Sequence, residues 1–132
     1  MLLVERADYP GHWQSVTGSQ ERGETLMQTA IRELREETGI DANAYGGLVD
    51  WQTSNVFEIF PRFLHRYSAG TTHNTEHVFA LEVPAPVPVK LAPDEHLRHE
   101  WLPWREAAAK CFSWSNRDAI LMLPQMTGKR AD

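Results

Sequence analysis

At 132 residues, with 42% hydrophobic and 23% charged side chains, the chain has the make-up of one folded domain, which excludes a disordered or fibrous protein and two independent cores. A net charge of -5 excludes the broad basic footprint that duplex nucleic acid requires. The single cysteine, Cys111, excludes an internal disulfide or a thiolate metal site; with no long apolar run and a start too quickly charged for a signal peptide, the expectation is a cytoplasmic protein without a membrane.

In chain order, runs rich in Val, Ile and aromatic residues predict strands over residues 1–5 and 13–16. A helix follows over Leu26–Thr38: Thr25 and Gln28 form a capping box, and Gly39 sits where helices end in left-handed geometry. Met27, Ala30, Ile31 and Leu34 recur at i, i+3, i+4, i+7 and predict an apolar stripe packed on a sheet. Further strands are expected over residues 47–52, 56–67, 77–83 and 99–102, with a proline-rich loop at 83–88 that lacks the donors a central strand needs. Helical pattern returns over 105–111 and 116–123, with Ser115 able to cap the second of these, and residues 127–132 read as a polar tail. The whole is expected to be one α/β domain with a mixed sheet flanked by helices.

Glu33, Glu36 and Glu37 fall at i, i+3, i+4 on the first helix, so three carboxylates share a patch and repel one another. On spacing alone this reads as a solvated acidic face, partly neutralised by Arg32 and Arg35; a hard divalent cation with oxygen ligands is the other way to offset the repulsion. The wider order decides between them. Gly18, Glu24, Arg32, Glu33, Leu34, Glu36, Glu37, Gly39 and Ile40 fill every specified position of the Nudix box, Gly-x5-Glu-x7-Arg-Glu-U-x-Glu-Glu-x-Gly-U with U aliphatic, and the chain resembles the Nudix hydrolases.

That resemblance implies a Nudix fold, an α/β/α sandwich with a mixed sheet and a loop-helix-loop catalytic motif, and hydrolysis of a phosphoanhydride bond with Mg²⁺, for which Mn²⁺ can substitute. It implies that Glu33, Glu36 and Glu37 hold the metal, that Arg32 orients a carboxylate, and that Glu36 or Glu37 is the general base; Glu24 is implied to be structural. Outside the box, Val16-Thr17-Gly18-Ser19, Phe57-Glu58-Ile59-Phe60, Glu95-His96-Leu97 and Ser113-Trp114-Ser115-Asn116-Arg117 are similar to the bacterial dihydroneopterin triphosphate diphosphatase branch, which acts in folate synthesis. The branch implies substrate contacts from Arg6, Thr17, Phe57, Glu58, Ile59, Phe60 and Ser113, and a distant loop acid, Glu95, as a further metal ligand and catalytic group. Read without the resemblance, Phe57, Ile59 and Phe60 are strand packing, Glu95 a solvated loop acid, Trp114 core, and the six histidines and Cys111 unrelated to catalysis.

The family commonly begins with one more strand and hairpin, which leaves open a truncated start or a sheet without that edge strand. The expected assembly is a monomer or a weak homodimer acting on a small triphosphate. Two alternatives remain on this reading: a Nudix hydrolase of (deoxy)nucleoside triphosphates or dinucleoside polyphosphates, and a Nudix module that binds a nucleotide without cleaving it.

Overall fold

The apolar run Leu2-Leu3-Val4 is used at the centre of a ladder. In the computed structural model, which describes residues 1–128, β1 (Leu2–Arg6) lies between β2 (Trp13–Gln14) and β5 (His96–Trp101), both antiparallel to it. A second antiparallel sheet joins β3 (Val49–Glu58) to β4 (His73–Ala80). Among the described residues the parallel component is one bridge, Trp13 with Cys111, reinforced by Phe112 N donating to Trp13 O at 3.1 Å.

Helix α1 (Leu26–Thr38) has the ends its sequence specifies. Gln28 N donates to Thr25 Oγ1 at 3.1 Å, Thr25 N donates to Gln28 Oε1 at 2.8 Å, and Gly39 closes the helix at φ 77°, a conformation that costs glycine little. The expected apolar stripe is only half-buried: the buried positions on α1 are Thr29, Glu37 and Thr38, while Ala30 and Leu34 face an open cavity.

Three strand expectations change. The runs 47–52 and 56–67 become one strand with a bulge, because Gln52 takes a positive φ of 53° and its N–H turns to Asp50 Oδ1 at 2.8 Å, shifting the register between Asp50 and Ser54. Beyond Glu58 the chain leaves the sheet. Pro61 fits the start of a helical turn and lacks the ladder donor, so Pro61–Arg66 is a 3-10 helix instead of strand. Strand β4 begins at His73 rather than at residue 77, since its polar first half is carried by backbone pairing to β3 and not by burial.

Helices α2 (Trp104–Lys110), α3 (Trp114–Leu121) and α4 (Leu123–Thr127) complete the described chain. Ser113, not Ser115, caps α3, its Oγ accepting from Asn116 N at 3.2 Å, while Ser115 is buried. Of the expected polar tail, Thr127 ends α4, and residues 129–132 lie outside the described residues.

The core gathers Leu3, Trp13, Ala107, Ala108 and Ile120, with Leu102, Trp104, Cys111 and Leu123 packed against it, so α2 and α3 seal the sheet that carries β1. Trp114, expected in the core, is largely exposed instead. Leu3 is fully buried, and Leu3→Ala is expected to cost about 2–5 kcal/mol, read as a fall in the urea midpoint at unchanged m-value.

Candidate active site

The loop before α1 and the helix itself are tied at one guanidinium. Arg32 donates from Nε to Glu24 Oε2 at 2.6 Å and from Nη2 to Glu24 Oε1 at 2.9 Å and to the Ser19 carbonyl at 3.0 Å. Its Nη1 donates to Glu33 Oε1 at 2.8 Å and to Glu36 Oε2 at 3.1 Å. Arg32, together with the Glu21 N–H and Thr29 hydroxyl, draws the Glu24 carboxyl down to about 2, so Glu24 stays ionised as an anchor and stands apart from the cavity.

Glu33 and Glu37 line a cavity of about 1260 Å³ whose walls come from α1, β1, β2, β4 and the 3-10 helix. Gly18 lets Glu33 in. A Cβ there would meet Glu33 Cγ at 2.1 Å and its carboxyl carbon at 2.3 Å, so the glycine is required for space alone. Burial raises the Glu33 pKa and Arg32 opposes that rise.

Glu37 is 4% exposed, and its Oε2 has no hydrogen-bond partner. Burial, then the hydrogen bond with Glu95, then the Glu33 charge push its pKa up to about 9. One oxygen each of Glu37 and Glu95 and a ring nitrogen of His96 lie within 4.8 Å of one another, and buried His96 Nδ1 is likewise unpartnered. Two of these three clustered residues each carry an orphaned buried polar atom, and their oxygen and imidazole donors fit a divalent cation.

The expected residues divide as follows. Glu33, Glu37, Glu95, Arg6, Thr17, Phe57, Ile59, Phe60 and Ser113 all line the cavity. Glu36 does not; its side chain is 57% exposed and turned to Arg32. Strand alternation sends Glu58 away to a shallower pocket beside Trp114. Arg32 reaches the site only through the carboxylates that it grips.

Several cavity residues were not anticipated. His96, set aside with the other histidines, is one; its signal is its place beside the loop acid Glu95. Phe63 and Arg66 are others, hidden because their segment reads as strand. The 3-10 helix stacks Arg62 on Tyr9 at 3.9 Å, places Arg6 over Phe63 at 4.3 Å, and brings Arg66 onto Asp8, whose carboxylate also takes two bonds from Arg6 at 2.7 Å. Phe60 and Phe112 close the aromatic wall with ring centres 5.4 Å apart.

A carboxylate-lined helix, gripped by its own arginine and opened by a glycine, is the signature of a Nudix site, and the NUDIX domain pattern matches residues 1–123. The chain belongs to the NUDIX family and is a Nudix hydrolase, an enzyme class that generally uses divalent metal ions. It is 47% identical over 121 residues to the dihydroneopterin triphosphate diphosphatase of Escherichia coli, covering 91% of this chain and 79% of that one. It is 41% identical to the enzyme of that name from Haemophilus influenzae over 122 residues, 91% of this chain and 75% of the relative. The solved structure of the E. coli dihydroneopterin triphosphate pyrophosphohydrolase superposes with a TM-score of 0.85 at 48% identity, over 90% of this chain and 81% of that one.

Two outcomes test this geometry. Gly18→Ala is expected to displace Glu33 and cut turnover by about 10- to 100-fold, the range for losing support of a ligand, with little change in melting temperature. Glu37 keeps its proton in the folded chain between the ordinary value of 4.5 and about 9, so the folded state binds more protons than the unfolded one there, and its contribution to stability falls as pH rises. Without metal, the melting temperature is expected to drop between pH 5 and pH 8 more for the parent chain than for Glu37→Gln, and added divalent cation to raise it at pH 8 for the parent alone.

Proposed function

We propose that the chain is a Mg²⁺-dependent pyrophosphohydrolase that converts dihydroneopterin triphosphate and water to dihydroneopterin monophosphate and pyrophosphate, in folate synthesis. The observation that carries this is the buried, unpartnered Glu37 carboxyl beside Glu95 and His96, in a cavity that also holds an arginine and an aromatic wall. Extended likeness to enzymes named for that substrate supports the choice of pterin.

Glu33, Glu37 and Glu95 would hold the ion, with His96 as a neighbouring donor. Mg²⁺ when bound supplies charge neutralisation for the phosphoryl oxygens and lowers the pKa of water. Arg32 keeps Glu33 aimed into the cavity, a role of orientation. Arg6, at the cavity wall with Thr17, offers its guanidinium to the phosphates, which must displace Asp8 from it. Glu37 and Glu95 each bring a carboxyl oxygen within 4.8 Å of the other, and this pair takes the proton released when water attacks phosphorus and the anhydride bond to pyrophosphate breaks. Phe57, Ile59, Phe60 and Ser113 line the space for the ring and side chain of the substrate. No described helix is long and apolar enough to cross a membrane, and a cytoplasmic monomer or weak homodimer fits the proposal.

Phosphorus NMR of products, with dihydroneopterin triphosphate, each common dNTP and diadenosine tetraphosphate offered separately, tests it. Pyrophosphate is expected mainly from the pterin, with Mg²⁺ or Mn²⁺ and not without metal, and lost in Glu37→Gln. Preference for a nucleotide would replace the substrate, and binding without turnover would replace the reaction.

A further inference from the structure

One half-buried acid in the cavity has no part in the metal site. Glu76 lies on β4 opposite Asn55 of β3, and Phe57 pairs with Asn74, so strand alternation puts Glu76, Asn74 and Phe57 on one face, the face that lines the cavity. Ser115 Oγ, itself 1% exposed, donates to Glu76 Oε2 at 3.5 Å, and Ser113 Oγ stands 3.4 Å from Ser115 Oγ. Among the described residues no cation pairs with Glu76, and burial holds its pKa up. A carboxylate in such surroundings is costly unless two good donors meet it.

The cavity is polarised in a way that says which end meets which part of a substrate. Arg6 stands close enough to Glu37 and His96 to act on both, so the guanidinium and the metal donors share the anion end. Around Glu76 are neutral groups, Ser113, Ser115, Asn74 and Phe57. An uncharged ring belongs there. A carboxylate presents two parallel acceptors, which match the ring N–H and the amino group of a 2-amino-4-oxopyrimidine edge; adenine sets an acceptor beside its amino group and mismatches.

We propose that Glu76 reads the heterocycle, accepting both hydrogen bonds of a 2-amino-4-oxopyrimidine edge with its carboxylate while Ser115 steadies it and Phe57 lies against the ring. This deepens the pyrophosphohydrolase reading and rests on it for the phosphate end alone. Pterins and guanine nucleotides share the edge, so the residue would admit both and reject adenine.

The test compares the parent chain with Glu76→Gln, which keeps the shape but turns one acceptor into a donor. Metal-free titration with neopterin, followed by its fluorescence, reads the ring site without catalysis; kcat and KM for dihydroneopterin triphosphate, dGTP and dATP read specificity. Glu76→Gln is expected to weaken neopterin binding at least about 10-fold and to raise KM for the pterin and dGTP alike, with kcat and the constants for dATP moving less than about 2-fold. The pterin-to-dATP ratio does not depend on how much of the variant is folded. An equal loss on all three substrates, an unchanged ratio, or a parent chain that binds no neopterin would overturn the proposal. Neopterin binding that needs Glu76, in a chain that cleaves no triphosphate, would uphold it and sink the catalytic reading instead.

Discussion

The Arg32 guanidinium is the fixed point of the site. Its planar donor set reaches Glu24 and the Ser19 carbonyl on the loop side and Glu33 and Glu36 on the helix side. A lysine could not span these partners, because a single ammonium lacks the fork that grips a carboxylate by two bonds. Without that grip, the loop that places Gly18 against Glu33 would keep only lighter ties, among them Thr29 to Glu24 at 2.9 Å and Gln14 to Thr17 at 3.2 Å. The acidic face of α1 is thus tolerable for two separate reasons, an arginine that neutralises its outer side and a donor set that suits a cation on its inner side.

That inner side is where stability is given up for chemistry. Glu37 occupies a position on α1 that an aliphatic residue would fill more comfortably, and its burial without a hydrogen bond at Oε2 is a cost the metal-free chain carries. His96 Nδ1 shares this lack of a partner, and half-buried Glu76 has a long bond from Ser115. Three uncomfortable polar groups open on one cavity, while the packing that offsets them lies elsewhere, around Leu3, Trp13 and Ile120.

Helix α1 was legible to the residue, because its capping box, its terminal glycine and its motif are all local in sequence. Arg32 and Glu24 were legible for the same reason. What the sequence hid is what depends on contacts far along the chain. Pro61–Arg66 has strand-like composition, yet one proline at its start diverts it into a turn that carries Phe63 and Arg66 to the cavity. Helical spacing groups Glu36 with Glu33 and Glu37, but only the packing of α1 determines that Glu36 faces outward. Nor could spacing reveal that Ile31 and Leu34 are half-open, since period alone gives a direction and not the distance to the next layer.

The proline-rich segment has a quieter consequence. Lys90 N donates to the Thr38 carbonyl at 2.8 Å, pinning that segment to the last turn of α1, and Glu95 follows five residues later. Glu37 and Glu95 are distant along the chain, yet this clasp makes the tether between them only a few residues long, so Glu95 is held near its partner at high effective concentration. The long span between α1 and Lys90 therefore does not set the reach of the loop acid, and the β3, 3-10 and β4 segments within it serve the cavity as wall rather than as tether.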